Sequence, residues 1–134
     1  MKPAVTSHPA EIGAQTARRR QSERLGRLAE WLAAAYLVAT GHRILARREK
    51  TRFGEIDLIA VRRRRVAFVE VKWRRNFDQA GPPVSARQAR RIASAAEAWL
   101  WQHPALRDHE IGLDCMQLAP GRLPRYYRNL LQPV

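Results

Sequence analysis

The chain has a single cysteine, Cys115, among its 134 residues, and this scarcity excludes two classes of structure. One thiol cannot form an internal disulfide, and it cannot supply a zinc site built from several cysteines. The four histidines are scattered without the spacing of a metal-binding motif. Cys115 falls in a predicted strand, so we expect it to be a small core residue.

Long apolar runs are also absent. The longest, WLAAAYLVAT at residues 31–40, is shorter than the ~20 residues that a helix needs to cross a bilayer. The N-terminal residues show no long apolar segment of the kind found in secretory signals. The sequence therefore predicts a cytoplasmic protein with no membrane partner.

Lysine and acidic residues are scarce, whereas arginine is abundant. Lys and Arg total 25 against 12 Asp and Glu, which gives a formal net charge of +13, and only Lys2, Lys50 and Lys72 are lysines. The planar guanidinium of arginine binds phosphate through two parallel hydrogen bonds and stacks on bases. This bias, taken together with the motif described below, predicts a nucleic acid as the partner.

The pattern along the chain predicts one α/β domain at residues 22–134, preceded by a flexible basic arm at residues 1–21. A helix is predicted from an N-cap at Ser22 to a C-cap at Gly41, and a second helix from an N-cap at Ser85 to just before Pro104. The strands are expected at residues 42–48, in a hairpin at 56–72, and at 111–118 and 126–130, with a loop at 76–84. This order predicts a central mixed β-sheet flanked by helices.

The most informative segment is residues 54–72, GEIDLIAVRRRRVAFVEVK. Two apolar strand-like runs, separated by four arginines, contain the charged residues Asp57, Glu70 and Lys72. Placing charged groups at the edge of a core costs several kcal/mol unless they are paired or bind a cation. The segment therefore indicates a functional site.

A hairpin with its turn at Arg63 and Arg64 would bring these groups together. Asp57 would then face Glu70 across the strand pair, with Cβ atoms ~5 Å apart. Lys72 would share the side of Glu70 because alternate residues of a strand point the same way. Two carboxylates so close need a cation or a shared proton between them.

This arrangement matches the needs of phosphodiester hydrolysis, in which a divalent ion activates water and offsets charge on the phosphate. Oxygen ligands favour Mg²⁺ or Mn²⁺. The predicted metal ligands are Asp57, Glu70 and the carbonyl of Val71, with Glu55 in reserve. Lys72 would orient water or stabilise the phosphate, and Glu30 on the first helix would complete the catalytic set.

The same residues also have structural interpretations. Glu70 and Lys72 could form a surface ion pair, Asp57 could accept backbone hydrogen bonds, and Glu30 could meet Arg27 or another nearby arginine. Asp114, within an apolar strand, needs a partner, and we expect an arginine. The predicted nucleic-acid contacts are Arg62, Arg63, Arg64, Arg65, Trp73, Arg74, Arg75, Arg87, Arg90 and Arg91.

The motifs GEIDLIA at residues 54–60 and FVEVK at 68–72, with a G-x-x-x-E helix at 26–30, resemble the YraN-type family of predicted nucleases. That family is placed in the PD-(D/E)xK, or restriction-endonuclease-like, superfamily, which includes Holliday-junction resolvases. The resemblance covers about residues 22–131. It implies an α-β-β-β-α-β core and carries the nuclease-like roles onto Glu30, Asp57, Glu70 and Lys72.

The sequence thus predicts a Mg²⁺- or Mn²⁺-dependent endonuclease-like enzyme acting on structured DNA. Two alternatives remain open: a catalytically inactive nucleic-acid-binding module of the same fold, and a structural partner in a DNA-processing complex. Related resolvases dimerise, so the resemblance also allows a homodimer.

Overall fold

The computed structural model describes residues 9–75, 77 and 84–132. Two helices, five strands and a short 3-10 turn account for most of these residues. In chain order they are α1 (Pro9–Ala39), β1 (Arg43–Thr51), β2 (Gly54–Arg62), β3 (Arg65–Trp73), α2 (Ala86–Trp101), the 3-10 turn (Pro104–Leu106), β4 (Glu110–Leu118) and β5 (Arg125–Tyr127).

The strands form one mixed sheet in the order β1-β2-β3-β4-β5. The first three strands are an antiparallel meander, β4 runs parallel to β3, and β5 is antiparallel to β4. A parallel neighbour requires a crossover connection, which α2 supplies. The predicted α/β architecture with a central mixed sheet is confirmed.

One helix covers each face of the sheet. On one face, Ala29, Ala33 and Leu37 of α1 pack against Leu58 and Val69, and the small alanines let the helix approach the strands closely. Both strand residues are fully buried. This layer fixes the position of α1, and therefore of Glu30, above the sheet.

The second helix builds the core on the opposite face. Ile92 and Trp99 of α2 pack with Phe68 and the free thiol Cys115, which is fully buried as expected. The predicted N-cap of this helix is confirmed, because the Ser85 side chain accepts a hydrogen bond from the backbone of Gln88. The cap fixes where α2 begins and so places Arg91 over the sheet.

The predicted hairpin register is confirmed as far as Leu58 and Val69, but the predicted pairing of Asp57 with Glu70 is not, because the paired segment ends before it. Arg62 pairs with Arg65, Val61 with Val66, and the pairing continues to Leu58 with Val69. The turn falls at residues 63–64, where Arg63 adopts a left-handed φ of 56°. An arginine therefore occupies a backbone conformation that glycine or asparagine would adopt at lower cost.

The predicted start of the first helix at Ser22 was wrong. Helix α1 begins at Pro9 within the described chain, so residues 9–21 of the predicted arm are helical, and residues 1–8 lie outside the described residues. This segment is rich in Ala, Gln and Arg, which favour helix without needing an apolar face. Side chains at residues 13–21 are exposed, so no apolar periodicity marked the segment in the sequence.

Smaller differences occur at the ends of other elements. Strand β1 extends to Thr51, beyond the predicted end at residue 48, whereas β5 stops at Tyr127 and leads into a turn at residues 128–131. Of the predicted loop at 76–84, only Phe77 and Val84 are described. No helix in the described ranges is long and apolar enough to cross a membrane.

Candidate metal centre

Strand β2 is irregular at Asp57. Ile56 packs in the core beneath α2, whereas Leu58 packs beneath α1, although residues two apart on a regular strand share one face. The neighbouring strand is irregular at the same level, because Arg48 of β1 has a φ of 50°. The alternation of side chains between the two faces of the sheet is therefore interrupted at Asp57. Its carboxylate lies near side chains from both faces.

At this point a side-chain hydrogen bond from the carboxylate of Asp57 replaces the backbone hydrogen bonds between β2 and β3. Backbone pairing of the two strands ends at Leu58 and Val69. Beyond that pair, the backbone N–H of Val71 donates to Oδ2 of Asp57 at 2.8 Å. This bond fixes the orientation of the carboxylate.

Three acidic side chains converge here. Ligand oxygens of Glu30, Glu55 and Asp57 all lie within 4.8 Å of one another, and we call these residues the carboxylate cluster. Glu30 comes from α1 and the other two from β2. The cluster therefore includes the predicted residues Glu30 and Asp57 and the reserve candidate Glu55.

Glu70 lies beside the cluster and is held from the α2 side. Its Oε1 is 3.4 Å from Nη2 of Arg91, whose Nη1 donates to the backbone oxygen of Glu55 at 3.1 Å. The side chain of Glu70 is only 16% exposed. Its Oε2 is buried and has no hydrogen-bond partner among the described residues, so one acceptor of this carboxylate is left for a ligand.

Burial and neighbouring charges raise the pKa values of two of these acids, Asp57 and Glu70. Burial, followed by the charge of Glu70, raises the pKa of Asp57 to about 7, against the lowering effects of the Val71 hydrogen bond and Lys72. Burial also raises the pKa of Glu70, although Lys72 and Arg91 oppose this shift. Both carboxyls therefore favour protonation more than free side chains do, because they are buried and lie near other acids.

Glu30 is bound by an arginine, as its structural interpretation anticipated, but the partner is Arg48. Nε of Arg48 lies 2.5 Å from Oε2 of Glu30, which is 17% exposed. Sequence reasoning missed Arg48 because its place opposite Asp57 depends on a register shift in β1 between Ile44 and Ala46. The bulge has no distinct signal in the sequence, since it involves no glycine or proline.

Lys72 follows Glu70 by two positions on β3 and shares its strand face. Its side chain is partly buried and makes no hydrogen bond or ion pair with the described part of the chain. Its position two residues after Glu70 places it beside the site, and its charge lowers the pKa of both Asp57 and Glu70. The structure thus brings together all four predicted catalytic residues.

The predicted nucleic-acid contacts do not form a single group around the cluster. The turn arginines Arg62, Arg63, Arg64 and Arg65 lie at the far end of the hairpin, and Arg63 is six residues from Asp57, or ~20 Å along a strand. The turn arginines therefore lie apart from the carboxylates, because Asp57 lies where β2 and β3 separate and the turn is at the other end of their paired segment.

Arg65 has a structural partner. Its guanidinium donates to both oxygens of the fully buried Asp114, at 2.7 and 2.8 Å. Asp114 also accepts from the hydroxyl of Tyr126 and from the backbone N–H of Asn129. The expected arginine partner of Asp114 is therefore confirmed, and Arg65 is held in a buried network.

The remaining predicted contacts lie on β3, just after it, and on α2. Trp73 is partly buried and packs against the core beneath α1, and Arg74 donates to the carbonyl of Trp73 at 3.1 Å. Arg91 holds Glu70, as described above. The exposed arginines in this group are Arg75, Arg87 and Arg90.

Comparison with known proteins identifies the family. Residues 29–118, which contain Glu30, Asp57, Glu70 and Lys72, match the model of Uncharacterised protein family UPF0102. A UPF0102 protein of Nitrobacter winogradskyi is 54% identical over 101 residues, covering 75% of this chain and 86% of the relative. One from Bradyrhizobium sp. strain ORS 278 is 47% identical over 125 residues, covering 93% and 83%. The chain therefore belongs to UPF0102, the YraN-type family that its motifs resemble.

Proposed function

We propose that this protein is a metal-dependent, nuclease-like enzyme that hydrolyses phosphodiester bonds in structured DNA. The observation that carries the proposal is the carboxylate cluster, in which three acidic side chains bring their oxygens within 4.8 Å in a chain of net charge +13. Acidic groups at such distances repel unless a cation lies between them. An acidic centre in a basic protein combines a cation site with attraction for the phosphate backbone.

The residues fit a hard divalent ion such as Mg²⁺ or Mn²⁺. Carboxylate oxygens are the ligands that these ions take in proteins, and Glu30, Glu55 and Asp57 supply them from two elements. Glu70 adds a buried oxygen without a partner in the described chain. When bound, such an ion activates a water molecule and offsets the charge that develops on the phosphate.

The other residues of the site would position the reactants. We assign to Lys72 the task of orienting the attacking water or stabilising the phosphate, because its ammonium lies near Asp57 and Glu70 and has no partner among the described residues. Arg48 and Arg91 hold Glu30 and Glu70 at defined positions. The Val71 N–H does the same for Asp57.

The restriction-endonuclease-like assignment belongs to the same proposal. The observed order α1-β1-β2-β3-α2-β4, with a three-stranded meander followed by a parallel crossover, agrees with the α-β-β-β-α-β core that the motifs imply. A fold hosts many functions, so the acidic site carries the functional argument. A DNA partner and a cytoplasmic location, where such an enzyme would meet its substrate, are proposed with it.

A catalytically inactive DNA-binding module is the second candidate, and the ion pairs favour it. Arg48 contacts Glu30 at 2.5 Å and Arg91 contacts Glu70 at 3.4 Å. Two of the four acids are thus neutralised by arginines. If these arginines replace the cation permanently, the protein binds nucleic acid without cutting it.

Cleavage of a labelled four-way DNA junction in Mg²⁺ and in Mn²⁺ tests the proposal. We expect cutting by the wild type that stops in EDTA and falls at least about a hundredfold in Asp57→Asn and Glu70→Gln. Glu97→Gln, on an exposed residue of α2, is the matched control and should cut normally. Junction binding without cutting in either metal would instead establish the inactive module.

A further inference from the structure

A cavity of about 630 Å³ lies at the tip of the β2–β3 hairpin. We call it the hairpin-tip cavity. Its walls come from the end of α1, the arginine turn, the start of β4 with the residues before it, and β5 with the residue that follows it. Arg62 on its wall is five residues from Asp57, or ~17 Å along the strand. It is therefore separate from the carboxylate cluster, and its volume is in the range of small-ligand sites.

The cavity is basic. Five arginines line it, against the two carboxylates of Asp108 and Glu110. Arg64 is paired with Asp108 at 2.6 Å, and Arg65 with the buried Asp114 behind the wall. Glu110, the other lining carboxylate, lies 3.6 Å from Nε of the same Arg65, so the remaining arginines of the cavity are uncompensated.

The uncompensated arginines are Arg62, Arg63 and Arg128. Arg62 donates to the carbonyl of Thr40 at 3.0 Å, which fixes its position and leaves its charge unpaired. Arg63 and Arg128 are exposed and have no hydrogen bond or ion pair with the described residues. Three guanidinium groups around one cavity favour an anion that can accept several hydrogen bonds, and phosphate has this geometry.

The cavity also has aromatic walls. Tyr36, His42 and Tyr126 line it, and the rings of His42 and Tyr126 are 6.4 Å apart at an angle of 45°. The hydroxyl of Tyr126 is bound to Asp114, which fixes that ring. Nδ1 of His42 lies 3.2 Å from the carbonyl of Leu37. Ordered rings beside cations provide a surface for stacking a flat group.

We propose that the hairpin-tip cavity binds a nucleoside phosphate, with the phosphate at Arg63 and Arg128 and the base against His42 and Tyr126. The ligand has two sources with the same chemistry: a nucleotide unit within a nucleic-acid strand, or a free mononucleotide. The site is separate from the carboxylate cluster, so it does not depend on the proposed cleavage activity.

Fluorescence anisotropy in EDTA tests this proposal without any metal-dependent reaction. One arm uses a fluorescent adenosine 5′-monophosphate, and the other a short labelled single strand of DNA. The test variant is Arg63→Asn with Arg128→Gln, in which asparagine tolerates the left-handed backbone at residue 63. The matched control is Arg20→Gln with Arg24→Gln, which removes the same charge from exposed positions on α1.

We expect the test variant to bind at least about tenfold more weakly than the wild type, while the control changes less than about twofold. Loss in both arms identifies a site that accepts free nucleotides, and loss only with DNA identifies a site that needs a strand. Equal weakening by both double variants, or no weakening by the test variant, overturns the proposal. If the test variant melts at a lower temperature, the single Arg128→Gln variant repeats the measurement away from the turn.

Discussion

Val71 and Asp57 are joined by a hydrogen bond that replaces a backbone bond of the sheet: the N–H of Val71 donates to Oδ2 of Asp57 at 2.8 Å, just past the last backbone pair of β2 and β3. A side chain thus continues the pairing where the strands separate. The carboxylate is fixed beside Glu30 and Glu55, where the pairing of the two strands ends. The same irregularity therefore orients the carboxylate that we propose as a metal ligand.

The first prediction concerns stability and pH. The folded pKa of Asp57 is raised to about 7, above its ordinary value, so the folded state holds a proton that the unfolded chain releases between about pH 4 and pH 7. The metal-free protein should therefore lose stability as the pH rises through this window. Asp57→Asn removes this loss and should be more stable than wild type at pH 8 and similar near pH 4, measured by thermal unfolding in EDTA.

Asp57→Ala serves as the control for that experiment. It also removes the charge, but it leaves the Val71 N–H without its acceptor. We expect it to be less stable than Asp57→Asn by about 1–3 kcal/mol at every pH. A wild type whose stability rises between pH 4 and pH 7 relative to Asp57→Asn would contradict the raised pKa.

The second prediction is that Arg48 and a bound cation compete for the carboxylate of Glu30. Arg48→Gln removes a positive charge at 2.5 Å from Glu30 and releases that carboxylate. Mn²⁺ affinity should rise about two- to fivefold, because the ion no longer displaces a surface ion pair. Arg43→Gln, an exposed arginine on the same strand, is the control and should leave the affinity unchanged. Weaker binding in Arg48→Gln would show that Arg48 supports the metal site.

The third prediction concerns the network around Asp114. Asp114→Asn removes the charge that pairs with Arg65, whose side chain is only 12% exposed. Breaking one side of a buried pair costs about 3–5 kcal/mol, so the urea midpoint should fall sharply. Asp108→Asn breaks the exposed pair with Arg64 and should change the midpoint little. Similar effects of the two substitutions would contradict the structural role of Asp114.

Much of the fold follows from the sequence because the relevant signals are local. The apolar alternation and the arginine turn predicted the hairpin register, and Ser85 with Gln88 predicted the start of α2. The start of α1 was missed because residues 13–21 are exposed and make no apolar stripe. The helix in that segment is favoured by the intrinsic propensity of its residues, and it packs no apolar face that would show as a periodic pattern in the sequence.

For the site, the identity of the acids was predictable but their arrangement was not. In a regular hairpin, Asp57 of β2 and Glu70 of β3 would face each other on one side of the sheet. That geometry predicted a metal site between the two carboxylates. In the structure Asp57 is grouped with Glu30 and Glu55, and Glu70 lies beside this group, held by Arg91. The difference arises from irregular backbone in two strands, including the left-handed φ of 50° at Arg48, which depends on tertiary packing.

The fourth prediction concerns backbone strain at Arg63 in the turn between β2 and β3. Arg63 has a φ of 56°, where a Cβ atom is disfavoured by about 1–2 kcal/mol. Arg63→Gly should therefore raise the free energy of unfolding by up to about 1 kcal/mol after the added entropy of the unfolded chain is included. Arg64→Gly, at a residue without positive φ, should lower it. Destabilisation by both substitutions, measured by urea unfolding, would show that Arg63 has contacts that outweigh its backbone strain.

Calorimetric titration of Mn²⁺ into the metal-free protein tests the central claim most directly. We expect saturable binding near one equivalent in the wild type and in the Glu97→Gln control, and its loss in Asp57→Asn, which keeps the acceptor for Val71 but removes the charge. Binding that is absent from the wild type, or equally strong in Asp57→Asn, would contradict the carboxylate cluster as a metal site.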